Sequence, residues 1–559
     1  MQLVNKGAQD QLVTGSPSFT HFRSVYKRHT EFAMEQFRLD FRAVNLDLNP
    51  TIPKQMRARV DRNAQIIHDC YIHLSLPDIF SPIALLPQDF TNKYVAPDAA
   101  GIGYEFQWIP NIGYNMINSV SIRINGTDIV RHTGEWMKLY SYLTFSGNKR
   151  RMVNDMVGHT TDIFDPANSG SRTNQYPHSI TTTQPAQASI LARDLNIPLH
   201  FWFCENIGAA LPLVALQYSE VEIVVEFKSI YELFTVRDVR PNSPTFGLRI
   251  APNPADFPMT LFLSPPDIFG LPSNPSLTNW ALNPYIEANY IFLGDAEMVQ
   301  LAKSDNSFMI KENRVVTVPG LHGPGNDIPL VLVNLCTRLV WVAQRSDAIA
   351  NNQVDNYTNQ LPNPYGPYVR PMTDWYSTGP AIGQNRSAVD ILVDGNIVLD
   401  GADRMNTKTY DFYRFMENYK YHPGNVSIFP GIYTYSFALD HDSTQPSGHI
   451  NGSMFNKTVL RLSLQEPTPL TPEDESIPGQ TIVNACILKT TALNPAPVQV
   501  NSQSPGDIVG RGLRPDQVLY TTTKPVQVVR PYTYTVSVYV ESYNFLRITR
   551  GIGNVVFSS

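Results

Sequence analysis

Apolar and polar residues alternate with a period of two through much of the chain, the signature of strands with one buried and one wet face. Val221, Ile223, Val225 and Phe227 alternate with Glu220, Glu222 and Glu226. Near the other end Tyr532, Tyr534, Val536, Val538 and Val540 alternate with Thr533, Thr535, Ser537 and Glu541. Each half of the chain therefore closes on a long amphipathic strand.

The same features recur in both halves. Val120, Ile122 and Ile124 lead into Asn125-Gly126 and then Ile129, and Asn-Gly between alternating apolar residues is the strongest short hairpin signal. Ile391 and Val393 lead into Asp394-Gly395 and then Ile397 and Leu399, which predicts a second hairpin of the same design. A helical patch follows each hairpin: Trp136, Leu139, Tyr140 and Leu143, then Phe412, Phe415, Met416 and Tyr419, both spaced i, i+3, i+4, i+7. Upstream, Cys70 to Leu74 and Cys336 to Trp341 form a third, β-rich pair. Three landmarks offset by roughly 270 residues predict a duplicated domain.

With 559 residues the chain is too long for one ordinary core. The pattern divides it into an N-terminal arm (1–25), a first domain (26–228), a proline-rich connector with loops (229–283) and a second domain (284–559). Further polar, proline-rich stretches around 158–190, 348–384 and 464–530 are long excursions from the strands. Large all-β halves with hairpins, inserted short helices and long loop insertions fit two consecutive jelly-roll β-sandwiches, a double jelly roll, better than immunoglobulin sandwiches. Composition by itself leaves barrels and propellers open.

Composition sharpens this picture. The chain has 44 prolines, 11% aromatic and only 16% charged residues, a balance that favours strands and loops over helical bundles. A formal net charge of -6 without any long basic block argues against direct binding of nucleic acid. Lys149, Arg150 and Arg151 are the densest basic cluster, expected in a solvated turn. Cys70, Cys204, Cys336 and Cys486 form no CxxC pair and read as buried thiols of a protein folded in a reducing compartment. The opening residues lack a signal-peptide pattern and no apolar run reaches ~18 residues, so synthesis as a soluble cytosolic protein is expected.

No catalytic, cofactor or metal site emerges. The chain has no P-loop, no Gly-x-Ser-x-Gly elbow and no His-Glu-x-x-His. His68-Asp69-Cys70 carries metal-capable side chains, but neighbours on a strand point to opposite faces. Asp440-His441-Asp442 reads as a turn. Trp136, Trp202 and Trp341 sit in apolar blocks and read as core, not as a sugar platform, and Glu220, Glu222 and Glu226 read as a solvated strand face. Sequons at Asn125, Asn356, Asn385, Asn425, Asn451 and Asn456 are the candidate glycosylation sites.

Several blocks carry a family resemblance. They include Gly7-Ala8-Gln9-Asp10, Tyr26-Lys27-Arg28-His29-Thr30, Gly134-Glu135-Trp136 and Phe201-Trp202-Phe203 with Ala210 to Leu213 and Ala215 to Tyr218. In the second half they are Leu339 to Gln344, Gly431 to Tyr433, Gln445 to Gly448, and Tyr543 to Ile548 with Gly551 to Gly553. From first residues to last the sequence resembles the double jelly-roll major capsid proteins of the nucleocytoplasmic large DNA viruses. It departs from them at Ser219, where the family commonly has histidine, and over Asn451 to Asn456, where an arginine and an aspartate are usual.

The resemblance implies a structural protein without cofactor, found in the virion and assembled in the host cytoplasm. It implies homotrimeric pseudo-hexagonal capsomers in an icosahedral shell above an inner viral membrane, with minor capsid and penton proteins as partners. Two other classes remain to be separated. A carbohydrate-active or carbohydrate-binding double sandwich would show sugar-dependent thermal stabilisation, and a minor or penton-like component would be scarce in purified particles.

Overall fold

Eight antiparallel strands build the first half of the chain: β1 (Phe32–Arg42), β2 (Lys54–Arg59), β3 (Ile66–Leu76), β4 (Ile117–Ile124), β5 (Thr127–Thr133), β6 (Arg193–Pro198), β7 (Val221–Phe227) and β8 (Tyr285–Leu293). They pair in the orders β1-β8-β3-β6 and β2-β7-β4-β5. β1 runs through both sheets, leaving β8 after Asp40 and meeting β2 at Phe41↔Ala58. The second half repeats the plan with β9 (Asn306–Leu321), β10 (Asn326–Leu330), β11 (Leu335–Arg345), β12 (Leu392–Leu399), β13 (Ala402–Asp403), β14 (Ile432–Ser436), β15 (Thr458–Leu464) and β16 (Tyr534–Thr549). Their orders are β9-β16-β11-β14 and β10-β15-β12-β13, so every strand of the first roll has its counterpart eight strands later. First beside eighth beside third beside sixth, over second, seventh, fourth and fifth, is the jelly-roll order, and the fold is a double jelly roll. The computed structural model describes residues 7–43, 45–81, 104–172, 175–179, 186–238, 249–252, 259–266, 273–274, 279–359, 390–424, 430–441, 443, 445–465, 481–489, 517–525 and 532–557.

Period-two patterning decides which side chains enter each core. In β7, Val221, Ile223, Val225 and Phe227 are buried while Glu222 and Glu226 stay half-exposed. In β16 the same holds for Tyr534, Val536 and Val538, which join Trp341, Tyr433 and Leu462 in the second core. The first core is larger. It takes in Leu39, Ile72, Ile122, Ile197, Ile223 and Ile286, and reaches across to Val340, Val342 and Tyr539 of the second roll.

The chain leaves the first roll later than its pattern suggested. β8, expected to open the second domain, pairs with β1 and β3 and closes the first. Residues 229–283 therefore belong to the connection between β7 and β8. That stretch adds the strand Phe234–Asp238 against Tyr104–Trp108 and buries Phe262 and Trp280 in the first core. The eighth strand of a jelly roll must return between the first and third, and a proline-rich excursion before it disguises that return as a linker.

The two hairpins differ as well. Asn125 and Gly126 have φ of 53° and 80°, the positive pair a type I′ turn needs, and Asn125 Oδ1 accepts the Glu220 N–H at 3.0 Å. Asp394-Gly395 forms no turn; both residues lie inside β12, next to a bulge between Leu392 and Asp394. The reversal comes at Asp400-Gly401, with φ of 49° and 82°. Gly395 serves a close approach instead. A Cβ there would stand 2.9 Å from Leu462 Cδ2, and Tyr413 donates its hydroxyl to the Gly395 carbonyl at 2.9 Å.

Of the two helical patches, α1 (Gly134–Thr144) buries Trp136, Leu139, Tyr140 and Leu143 as expected, with Thr133 Oγ1 capping the Trp136 N–H at 3.1 Å. The second is a π-helical turn, Phe412–Met416, running into α2 (Glu417–Tyr421). Its buried face is Tyr413, Arg414, Glu417 and Asn418, while Met416 and Tyr419 are 50% and 90% exposed. Paired polar residues outcompeted the apolar ones: Arg414 bonds Asp390 at 2.6 Å, Glu417 accepts the Ser436 N–H at 3.0 Å, and Asn418 accepts from Thr434 at 2.9 Å.

Because strand direction alternates, the connections after odd-numbered strands leave one end of each roll and those after even-numbered strands the other. The six longest connections, 77–116, 134–192, 228–284, 346–391, 404–431 and 465–533, fall at the first kind of end. The second kind includes the shortest links, 125–126 and 400–401. That second end also carries the connections 199–220 and 437–457, so long segments are concentrated at one end of each sandwich without being restricted to it.

Candidate functional site: the seam between the two rolls

Among the described residues, an extended buried polar arrangement joins one roll to the other. α1 of the first roll lies against β16 of the second. Trp136 stacks on Tyr539 with ring centroids 5.4 Å apart, and Glu135 accepts hydrogen bonds from the hydroxyls of Tyr357, at 2.7 Å, and Tyr539. One turn further on, Lys138, only 1% exposed, places its ammonium 2.5 Å from Asp355 Oδ1. Asp355 also accepts from Asn111 Nδ2 at 2.6 Å and Asn115 Nδ2 at 3.0 Å. Burial alone would raise the Asp355 carboxyl, but Lys138 and the two amides hold it below the ordinary carboxylate range.

Further contacts extend the seam on either side. Asn352 Nδ2 donates to the carbonyls of Tyr231 at 2.7 Å and Phe234 at 3.0 Å. Lys311 of β9 reaches Glu205 of the first roll at 3.2 Å. Arg338 lies 5.5 Å from the Trp136 ring and bonds Glu541 at 2.8 Å. The Gly424 N–H donates to the Leu143 carbonyl at 2.8 Å, and a Cβ at Gly424 would lie 2.1 Å from the Tyr142 carbonyl oxygen. Backbones approach so closely there that only glycine fits. Ser219 donates to the Gly551 carbonyl at 3.1 Å, so the small hydroxyl at this departure from the family pattern is itself a seam contact.

Buried charges that are paired and hydrogen-bonded specify one geometry, since any other arrangement leaves an uncompensated ion out of water. The seam therefore joins the two rolls through paired, buried polar groups as well as apolar contact. Glu135 and Trp136 stood out in the sequence. Lys138 and Asp355 did not, because a pair formed between distant segments has no local signature.

The other sequence candidates are dispersed. Asn125, Asn451 and Asn456 are exposed, and Asn125 Nδ2 is engaged with Ser219 at 3.0 Å. Asn356 is fully buried and donates to Gln353 Oε1 at 3.2 Å. Asn385 and Asn425 lie outside the described residues. Trp136, Trp202 and Trp341 are core. Glu222 and Glu226 sit between basic strands, with Arg131 on Glu226 at 3.2 Å and Arg59 on Glu220 at 3.1 Å. Lys149-Arg150-Arg151 lies on the helix Gly147–Met156 instead of a turn, and Arg150 is buried 3.8 Å from the Tyr142 ring centroid. A bulge at Asp69 breaks strand alternation, so His68 Nε2 comes 3.3 Å from Asp69. Among the described residues no three His, Cys, Asp or Glu side chains converge on a metal position. Asp442, of the Asp440-His441-Asp442 turn, lies outside the described residues.

Comparison with known proteins places this architecture. Residues 20–246 match the family model "Major capsid protein N-terminus", and residues 322–494 match "Large eukaryotic DNA virus major capsid protein". The major capsid protein of Phaeocystis pouchetii virus is 24% identical, covering 84% of this chain and 93% of its own. That of Paramecium bursaria Chlorella virus 1 is 22% identical over 100% of this chain and 99% of its own. The chain belongs to the major capsid proteins of the nucleocytoplasmic large DNA viruses. Among solved structures, the PBCV-1 virus capsid shares the fold with a TM-score of 0.59 at 18% identity, covering 97% of this chain and 100% of that one. The Faustovirus major capsid protein gives 0.59 at 12% identity, covering 97% and 94%.

This capsid protein is thus a structural virion component that builds the shell, not an enzyme. The carbohydrate-active and penton-like readings give way to it. The seam is where the two jelly rolls of this capsid protein meet.

Proposed function

We propose that three copies of this major capsid protein associate into a pseudo-hexagonal capsomer of an icosahedral shell. The observation that supports this reading is the repetition of one strand order in two rolls locked together by a buried polar seam. Three such chains supply six similar sandwiches, and closed three-fold symmetry then generates nearly six-fold edges. Tyr218, Tyr419, Leu439 and Met454 are each more than 70% exposed in the single chain. Association would remove such apolar surface from water. Negative-stain imaging of the purified protein should show hexagonal outlines with a three-fold modulation; elongated two-lobed particles would contradict the proposal.

The finer partners follow from the same reading. The capsomers meet one another and minor capsid and penton proteins, above an inner viral membrane, after assembly in the host cytoplasm. With a net charge of -6 the shell does not bind the genome directly. Glycosylation is proposed at exposed sequons, foremost Asn451 and Asn456, whereas Asn356 would have to unfold to be modified. Intact-mass measurement of virion protein is expected to exceed the bare chain by sugar masses mapping to those residues. A mass equal to the bare 62.8 kDa chain would remove the proposal.

A further inference from the structure

An exposed arm and an open pocket lie at the same end of the first roll. In the arm, which precedes β1, Leu12, Val13, Phe22, Val25 and Tyr26 are each between 79% and 99% exposed. Its root is tied to the body where the Gly294 N–H donates to the Glu31 carbonyl at 3.3 Å. Large apolar side chains gathered along one exposed segment mark a surface that assembly covers. The described arm is also basic, with Arg23, Lys27 and Arg28 against Asp10 and Glu31, whereas the whole chain carries a net charge of -6.

The pocket, about 150 Å³ in volume, opens between the connection from β2 to β3 and the segment leading into β7. Its apolar lining is Val60, Leu213 and Val221, all buried. At its mouth Arg59 bonds Glu220 at 3.1 Å and stands 3.9 Å from Asp61, and the side chains of the two acids are 50% and 60% exposed. Arg62 is turned onto the carbonyls of Leu216, at 2.6 Å, and Ser219, at 2.9 Å. Tyr218, next in the chain to Ser219, is one of the exposed apolar groups already assigned to association.

These groups select the occupant. Both signs of charge meet at the mouth, so a small ion finds no single-sign field to hold it. A space of this size takes one benzene ring, and guanidinium groups beside it favour the face of an aromatic. The two exposed carboxylates call for cations next to that ring. In the arm, Tyr26-Lys27-Arg28 is an aromatic followed directly by two cations.

We propose that this pocket receives Tyr26 from the arm of a second copy of the chain, with Lys27 and Arg28 lying on Asp61 and Glu220. The inference rests on the capsomer reading above. β1 begins at the end where the connections after even-numbered strands lie, so arm and pocket share one rim. Six residues before β1, Tyr26 can stand up to about 20 Å from that strand, far enough to leave its own roll. In the single chain Tyr26 stays 88% exposed, so its own arm does not fill the pocket and a neighbour's does. Around a closed three-fold ring every arm is given and every pocket filled.

The test replaces Tyr26 with a photoreactive phenylalanine analogue in the full-length protein, irradiates it, and maps the cross-linked peptides while light scattering reports the particle mass. The expected result is two chains covalently joined, through a peptide containing Arg59 to Arg62 or Leu213 to Val221. Asp61→Lys with Glu220→Lys should lower the joined fraction several-fold, because like charges then meet. Tyr26, Asp61 and Glu220 are exposed, so these variants leave both cores untouched. A cross-link within one chain, or to another face of the second copy, would overturn the proposal. So would a particle of three chains that gives no cross-link; the capsomer reading survives all three outcomes. With phosphatidylserine vesicles added, a cross-link to lipid in place of the second chain would overturn it in favour of a membrane surface. A particle with the mass of one chain would end the capsomer reading and this inference together.

Discussion

Replacing Glu541 with alanine is expected to destabilise the chain by about 3–5 kcal/mol, because it strands a guanidinium where water cannot reach it. Glu541 and Arg338 face each other across β16 and β11, and their side chains are 4% and 0% exposed. Glu541 also accepts from the Thr337 hydroxyl at 3.2 Å. Replacing both ions together, Arg338→Met with Glu541→Leu, should recover most of the loss, since apolar packing of similar volume dispenses with both desolvation costs. Denaturant melts of the two single variants and the double variant measure this. A double variant as unstable as the sum of the singles would show that the pair matters through its neighbours and not through charge.

The same residue sets part of the acid response. Burial would raise the Glu541 carboxyl, yet Arg338 and Lys311 hold it below its ordinary value. A depressed carboxylate contributes stability that is complete above the unfolded-state pKa, about 4.3, and is lost as pH falls through the lower folded value. Histidines add an earlier phase. Burial pushes His132 and His159 down to about 4 and His200 down to about 3, so the unfolded chain takes up protons first, from about pH 6.5 downward. Stability should therefore decline below pH 6.5 and fall more steeply below about pH 4.3. Glu541→Gln should remove part of the second phase and leave the first.

The second large effect is expected at the seam. Asp355→Ala leaves the Lys138 ammonium buried against Asn115 Oδ1 at 3.4 Å and the Tyr357 ring at 4.9 Å, without its carboxylate. The expected loss is about 3–5 kcal/mol, and it should act on the joint more than on either core. Calorimetry is expected to show one coupled unfolding transition in the parent chain and two in Asp355→Ala as the rolls uncouple, and Lys138→Met in the same chain should restore much of the coupling. One unchanged transition in Asp355→Ala would mean that the rolls are held by their apolar contact alone.

How much of this could be read in advance differs by kind of feature. Alternation in Val221 to Phe227 and in Tyr532 to Val540 reported the buried faces of β7 and β16 directly, because burial of one sheet face imposes that period. Asn125-Gly126 reported its turn because two consecutive positive φ values leave few other residues. Asp394-Gly395 misled because a glycine admitted for close approach, under Tyr413, looks the same as one admitted for a turn. The face of α2 misled because Arg414, Glu417 and Asn418 are buried through partners on other segments, Asp390, Ser436 and Thr434, which pattern along one segment does not contain. For the same reason the seam was illegible apart from Glu135 and Trp136. The resemblance pointed to a double roll, but the pairing of β8 with β1 and β3 needed the folded chain.

The mass of the purified protein in solution tests the account most directly. Light scattering at micromolar concentration should report a particle of three times the 62.8 kDa chain, unchanged on tenfold dilution, because shell subunits bury far more than the roughly 1,600 Å² of a standard interface. A particle with the mass of one chain, persisting as concentration is raised, would contradict it.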